Sequence, residues 1–139
     1  SLEANVEEIA GHRIAVDTNA TEGYQVLSFA RSALTDSYGN AIDPIAASNG
    51  SPAPWLTACP PAASSCFGYH PTDPTLAGGD TRFAADDAYA AVPTSSAEIM
   101  YSSVPVDETY DVVYRVRVGG LQPAGDYETD IVYIAVPVF

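Results

Sequence analysis

The last third of the chain alternates between two kinds of side chain, and this pattern constrains the fold more than any other feature. Residues 109–118 (TYDVVYRVRV) and 127–136 (YETDIVYIAV) each have a face rich in valine, isoleucine and tyrosine and a second, more polar face. A period of two is typical of a β-strand with one buried face. The segment between the two runs, GGLQPAGD, has the composition of a turn. We therefore predict a long C-terminal β-hairpin that other strands must cover.

The register of this hairpin follows from the position of its turn. If the turn is centred near Pro123, Arg117 lies opposite Glu128 and Arg115 lies opposite Asp130. Cross-strand ion pairs contribute about 0.2–1 kcal/mol each. We interpret the two arginines mainly as pairing residues of the sheet and only secondarily as a clamp for a ligand.

The final segment, residues 131–139 (IVYIAVPVF), has no charged side chain on either face. Such a segment must be covered, either inside a sandwich or by a neighbouring subunit. Residues 1–11 are predicted to form an extended arm, which could also be donated to a neighbour as a strand. The predicted self-assembly residues are Leu2, Val6, Ile131, Ile134, Val136 and Phe139.

Further strands are predicted at residues 12–19 and 24–30, which would form a hairpin, and at residues 66–70, 81–92 and 97–102. Turn residues separate them. At 139 residues the chain is long enough for one domain with a substantial core. The fold class expected is all-β: one antiparallel β-sandwich of the immunoglobulin-like or Greek-key type over residues 12–139, with about seven to nine strands.

The charge balance excludes several classes of partner. Eighteen acidic residues and five arginines give a net charge of −13, and the chain has no lysine. Nucleic acids and anionic membranes are therefore disfavoured, and no apolar run approaches the ~18 residues of a membrane span. Without lysine, Schiff-base chemistry and Lys–Asn isopeptide cross-links are excluded.

The only cysteines, Cys59 and Cys66, lie in the short loop CPPAASSC. We predict a disulfide, with a buried thiol pair or a metal-bound pair as the alternatives. A disulfide would indicate an extracellular or cell-surface setting. No signal-peptide pattern opens the sequence, so we expect a processed chain or a segment of a longer protein.

No catalytic motif accompanies the only two histidines, His12 and His70, so we predict that the chain is not an enzyme. Calcium is the one cofactor considered, because hard cations bind carboxylates and carbonyls in loops. The candidate ligands are Asp36, Asn40, Asp43, Asp80, Asp86 and Asp87. The alternative is that these residues form Asx-turns and solvated loops.

Aromatic residues outside the hairpin suggest a second kind of site. If Tyr38, Trp55, Tyr69 and Tyr89 cluster on one rim, they could stack on sugar rings; alternatively they pack the long loops onto the sandwich. Two glycosylation sequons begin at Asn19 and Asn49. We expect Asn19 to serve a turn, whereas Asn49 is expected in an exposed loop.

Several stretches together resemble a known kind of domain. They are VDTNATEGYQV, an isolated Trp55, CFGY, AAVP and YRVRVGGLQPAGDYETDIVYIAVPVF. The combination is similar to a β-sandwich domain of secreted and cell-surface proteins of Patescibacteria, the candidate phyla radiation bacteria. Its most specific parts are residues 18–20 with 23–24, and residues 122–125 with Tyr127. The resemblance implies an exported structural or adhesive module.

These observations predict a non-enzymatic extracellular subunit of a surface protein or of a pilus-like filament. Its partners would be copies of itself or neighbouring domains. The alternative is a carbohydrate-binding module that uses loop aromatics, with or without calcium.

Overall fold

The computed structural model describes residues 4–76, 79–80 and 82–139, except for the side chains of residues 79 and 80. The structure is mostly β, with 52% strand and 3% helix. All ladders between named strands are antiparallel. The prediction of an all-β chain with antiparallel sheets is therefore confirmed.

The elements in chain order are β1 (Glu7–Thr18), β2 (Tyr24–Ala30), β3 (Leu34–Thr35), β4 (Ala41–Ile42), β5 (Ala53–Pro54), α1 (Trp55–Ala58), β6 (Ser65–Pro71), β7 (Thr75–Leu76), β8 (Gly79–Asp80), β9 (Ala88–Tyr89), β10 (Ala97–Ser102), β11 (Val106–Val118) and β12 (Ile131–Pro137). Two three-stranded sheets form the body of the fold, with the orders β1-β11-β6 and β10-β2-β12. Three short ladders, β3-β4, β5-β9 and β7-β8, lie in the connections.

The predicted C-terminal hairpin is wrong. Strand β11 pairs with β1 and β6, whereas β12 pairs with β2 in the other sheet. The connection between them, residues 119–130, is long enough to cross from one sheet to the other. A period of two fixes which face of a strand is buried but not which strand lies beside it.

The predicted ion pairs of the hairpin are therefore wrong as well. Arg115 lies beside Glu7 of β1, and Arg117 donates to the backbone carbonyls of Pro60 and Ala63. Glu128 instead joins Thr35 in an isolated antiparallel bridge, which two backbone hydrogen bonds of 2.8 and 3.1 Å close.

Other strand predictions had mixed outcomes. The predicted strands at residues 66–70 and 97–102 are confirmed as β6 and β10, but β1 and β2 belong to different sheets and do not form a hairpin. Of the predicted strand at 81–92, only β9 is a strand, because the sequence Ala-Asp-Asp lies in turns; residue 81 is outside the described residues. Residues 7–11 of the predicted arm belong to β1 and pair with residues 113–117.

One hydrophobic cluster draws side chains from both three-stranded sheets. Its members include Tyr24 and Val26 of β2, Ile99 and Met100 of β10, Tyr69 of β6, and Val112 and Tyr114 of β11. The edge strands contribute partly buried side chains to the same cluster, Ile14 and Val16 from β1 and Ile131 and Tyr133 from β12. Both three-stranded sheets therefore contribute side chains to the main core.

The turn between β1 and β2 ends on a glycine that no other residue could replace without strain. Gly23 has φ +75°, and a Cβ atom there would lie 2.0 Å from the carbonyl oxygen of Ser102 at the end of β10. Glycine permits both the left-handed backbone and the close approach. Gly23 thus sets how closely the start of β2 approaches the end of β10.

A smaller cluster surrounds α1 and the disulfide. Trp55 is fully buried, Tyr89 packs edge-on against it at 5.2 Å, and Cys59 is bonded to Cys66 as predicted. The guanidinium of Arg115 lies 4.6 Å from the Trp55 ring centroid, in the geometry of a cation–π contact. Among the described residues, no helix has the length and apolar character needed to cross a membrane.

Candidate functional site

The strand β12 lies at the edge of its sheet, and its partner β2 occupies only one side. Backbone hydrogen bonds at both ends of β12 show which of its N–H and C=O groups face β2. Val138 N–H donates to Gly23 O (3.0 Å), Val138 O accepts from Glu22 N–H (2.9 Å), and Asp130 O accepts from Arg31 N–H (3.0 Å). The backbone hydrogen-bonding groups of residues 130 and 138 therefore point toward β2.

Alternate residues of an antiparallel edge strand direct their backbone groups to opposite sides. Since the even-numbered residues face β2, the N–H and C=O groups of Ile131, Tyr133 and Ala135 face outward. Pro137 falls at the next outward position and has no N–H. Proline is tolerated at an edge only where its missing N–H would have faced away from the sheet.

Side chains of this segment are apolar on both faces. Ile134 and Val136 are exposed, and Phe139 is 81% exposed. Ile131 and Tyr133 pack against the main core from the other face. Exposed Val6 lies before β1, and Leu2, the remaining predicted self-assembly residue, lies outside the described residues.

Tyr133 also connects the two sheets through hydrogen bonds. Its hydroxyl lies 2.6 Å from the Tyr114 hydroxyl of β11 and 2.6 Å from Nδ1 of His12 on β1. Burial raises the pKa of both Tyr114 and Tyr133 above that of an ordinary tyrosine, so both hydroxyls stay protonated at neutral pH. This chain of hydrogen bonds holds the inner face of β12 against the opposite sheet, while the described residues provide no backbone partner for its outer edge.

A second network fastens the beginning of β1. Glu7 accepts a hydrogen bond from Trp55 Nε1–H (2.7 Å) and pairs with Arg115. Burial alone would raise the pKa of Glu7, but the hydrogen bonds from Arg115 and Trp55 and the positive charge of Arg115 bring it below the ordinary value. Trp55 therefore serves a structural cluster.

Three of the four loop aromatics follow the packing alternative and do not form an exposed rim. Trp55, Tyr69 and Tyr89 are buried in the two hydrophobic clusters. Only Tyr38 is exposed, at 87%. The loops carrying the other three pack onto the sheets, so they cannot offer a flat stacking surface.

Tyr38 borders a polar groove of about 720 Å³ between residues 32–38 and 125–130. The groove is also lined by Asp36, Asp126, Glu128 and Asp130, together with serine and threonine hydroxyls. Carboxylates and hydroxyls beside an exposed aromatic ring are groups that sugars can bind.

The calcium candidates near this groove serve a turn. Asp36 accepts hydrogen bonds from the backbone N–H groups of Tyr38 (2.9 Å) and Asn40 (2.8 Å), and from Asn40 Nδ2 (2.8 Å). The hydrogen bonds from Asn40 are the main reason why the pKa of Asp36 lies below its usual value. Asp36 and Asn40 therefore form an Asx-turn, which was the alternative to a calcium site.

The remaining candidates are dispersed. Asp43 lies beside the Ser64 hydroxyl at 3.5 Å, and Asp87 lies 3.8 Å from Arg115. Asp86 is exposed, and the side chain of Asp80 is outside the described set. Within the described ranges, no three His, Cys, Asp or Glu side chains form a group that could hold a metal ion.

The two sequons differ in accessibility. Asn19 is exposed at the end of β1. Asn49 is half-buried, and its Nδ2 donates to the Tyr69 hydroxyl (2.7 Å) and to the backbone carbonyl of Glu98 (2.9 Å), while its Oδ1 accepts from Arg82. The loop is exposed at Ser48, Gly50 and Ser51, as expected, but the Asn49 side chain itself is turned inward and tethers the loop to the core.

Sequence reasoning missed a deeply buried carboxylate. Asp73 is 1% exposed and accepts hydrogen bonds from the N–H groups of Thr75 and Tyr101, both at 2.9 Å. Burial raises the pKa of Asp73 despite these donors. The only sequence signal was its place two residues before a threonine in a proline-rich loop, which is typical of an Asx-turn.

No protein-family model matches this chain, and no curated protein or solved structure is significantly similar to it.

Proposed function

We propose that this chain is a non-enzymatic structural or adhesive module of an extracellular β-sandwich protein, and that it associates with copies of itself through β12. The observation that carries the proposal is the outer edge of β12, which combines an uncharged, partly exposed sequence with backbone groups that have no partner in the described part of the chain. Long apolar edges are templates for pairing with another chain.

A sandwich architecture is supported by the position of the main core. The cluster contains side chains from both three-stranded sheets, as expected where two sheets pack face to face. The hydrogen bonds that join the Tyr133 hydroxyl with the Tyr114 hydroxyl and with His12 Nδ1 also connect strands of different sheets. The resemblance to surface domains of Patescibacteria agrees with this architecture.

An extracellular location is supported by the disulfide between Cys59 and Cys66, because such bonds persist in oxidising compartments. The net charge of −13 also disfavours nucleic acid as a partner. Because each copy repels the next, association should strengthen as salt screens the charges.

The direct test is the oligomeric state of the purified chain. We expect light scattering to report dimers or larger species whose proportion rises with protein concentration. The measurement is made at low salt and at about 0.15 M ionic strength, where the Debye length is about 8 Å. Negative-stain microscopy detects fibres in the same samples. A monomer at every concentration and salt would contradict the proposal.

The carbohydrate-binding alternative rests on the groove beside Tyr38 alone. A glycan array would test it, with Tyr38→Ala as the variant that should lose any signal and Leu121→Ala, another exposed apolar position, as the control. Silence of the wild type on the array would remove this alternative.

A further inference from the structure

The four edges of the two sheets differ in how they are covered. The outer edge of β6 is occupied, since Tyr69 exchanges two backbone hydrogen bonds with Ala90 (2.8 and 3.0 Å) and Phe67 O accepts from Ile45 N–H (3.0 Å). The outer edge of β10 is occupied where Tyr101 N–H donates to Asp73. Among the described residues, only β1 and β12 have an outer edge whose backbone groups lack hydrogen-bonding partners.

These two free edges differ in charge. Strand β1 carries Glu7, Glu8, Arg13 and Asp17, whereas β12 carries no charged residue. Charges on an edge strand discourage pairing with another chain. In a protein with a net charge of −13, a second copy meets the least repulsion where both surfaces are uncharged, and a second β12 is such a surface.

The outward backbone groups of β12 restrict how a second strand can pair. Ile131, Tyr133 and Ala135 each offer one N–H and one C=O, whereas Pro137 offers only its C=O. In an antiparallel pair, residues that exchange hydrogen bonds lie directly opposite each other. Among antiparallel registers, only the one centred on Tyr133 pairs these three residues with one another and leaves Pro137 out.

We propose that two copies of this chain pair antiparallel through their β12 edges, with Tyr133 opposite its own counterpart and Ile131 opposite Ala135 of the second copy. The inference rests on the self-association proposed above and specifies its geometry. The pairing is two-fold symmetric and closed, and it joins two three-stranded sheets into one continuous sheet held by about six new backbone hydrogen bonds.

The exposed face of the combined sheet is also compatible with this register. Val132 lies opposite Ile134 of the second copy, and Val136 lies opposite Asp130. The two Asp130 carboxylates are thereby kept at opposite ends of the interface. The exposed isoleucine and valine side chains of each copy cover part of the other.

Cysteine cross-linking tests the register. Opposite residues that do not exchange hydrogen bonds have Cα atoms about 4.5 Å apart, within the range of about 4.4–6.8 Å that a disulfide spans. Val132→Cys and Ile134→Cys proteins, mixed in equal amounts under mild oxidation, should therefore form a covalent dimer that contains one chain of each. Neither variant alone should cross-link efficiently, because identical residues lie on a diagonal about 7–8 Å long.

The single variants also identify the neighbouring registers. A shift by one pair would place either Val132 opposite Val132 or Ile134 opposite Ile134, so that one variant would cross-link with itself. Either of these results would overturn the register while leaving self-association intact. Association without any of these cross-links would show that another surface is used, and a persistent monomer would refute both the register and the self-association.

A second variant separates the interface from the fold. Ala135→Pro removes an outward N–H that makes no hydrogen bond to the described residues, and proline already occupies the equivalent position 137. We expect dimer affinity to fall at least about tenfold, since two of the intermolecular hydrogen bonds are lost. Ala135→Val, which keeps the N–H, should dimerise; unchanged affinity of the proline variant, with a folded circular dichroism spectrum, would refute the pairing.

Discussion

Substitution of Gly23 by alanine tests the close approach of β2 and β10. The new Cβ would lie 2.0 Å from Ser102 O and 2.8 Å from Val104 N, both backbone atoms that cannot rotate away. A left-handed backbone costs a residue other than glycine about 1–2 kcal/mol, and forced repacking typically adds about 1–3 kcal/mol. We expect Gly23→Ala to lower the free energy of unfolding by about 2–5 kcal/mol, the sum of these two contributions.

Two other glycines separate these contributions. Gly39 has φ +86°, but a Cβ added there would have no atom within 4 Å, so Gly39→Ala should incur only the backbone cost. Gly50 has neither a positive φ nor a close neighbour, so Gly50→Ala should be neutral or stabilising by up to about 1 kcal/mol through the unfolded state. Urea denaturation of the three variants gives the comparison, and a Gly23→Ala protein no less stable than Gly39→Ala would refute the placement of β2 against β10.

Three further predictions concern the disulfide, Glu7 and Tyr133. Replacing Cys59 and Cys66 together by alanine should lower the free energy of unfolding by about 2.5 kcal/mol, the chain entropy of an eight-residue loop. Reduction of the wild type should have a similar effect in urea denaturation. Unchanged stability in both experiments would contradict this contribution of the disulfide. Because the pKa of Glu7 is lower in the folded state, its ionised form stabilises the fold above its unfolded pKa, and this stabilisation is lost as the pH falls through the folded pKa. The difference in unfolding free energy between wild type and Glu7→Gln should accordingly shrink as the pH falls from 7 to 3. The control Glu8→Gln, at an exposed position, should differ little from wild type at pH 7. A loss of stability in Glu7→Gln that does not depend on pH would contradict the ion pair. Tyr133→Phe should cost about 1–2 kcal/mol in thermal unfolding, since it removes the hydroxyl between the two sheets, and a neutral substitution would show that this link contributes nothing.

The class of the fold could be predicted from local patterns because strands, turns and cysteine spacing are each encoded within a few neighbouring residues. Alternation over residues 109–118 and 131–136 identified two real strands, and the short loop between Cys59 and Cys66 identified the disulfide. Pairing between strands could not be predicted, because every alternating run is compatible with several antiparallel partners. Turn residues at 119–126 favoured a hairpin, yet the connection continues to residue 130 and enters the second sheet.

The candidate site could be predicted only in part, for a related reason. The absence of charge after Asp130 could be read from the segment itself and predicted that the segment must be covered, but it did not predict an edge strand with exposed Ile134, Val136 and Phe139. Burial of Trp55 depends on Glu7 and Arg115, which are far away in sequence, so no local pattern could distinguish a packed aromatic from an exposed one. Pro137 was an available signal of an edge strand, although its meaning depends on which neighbours the strand has.

Hydrogen exchange of individual β12 amides tests the central claim most directly. In dilute protein, the amides of Ile131, Tyr133 and Ala135 should exchange rapidly because they face outward, whereas those of Val132 and Ile134 should be protected by β2. At high concentration and moderate salt, the three outward amides should become protected as a second copy pairs with them. Protection of the outward amides that does not change with concentration, or rapid exchange at every concentration, would contradict the account.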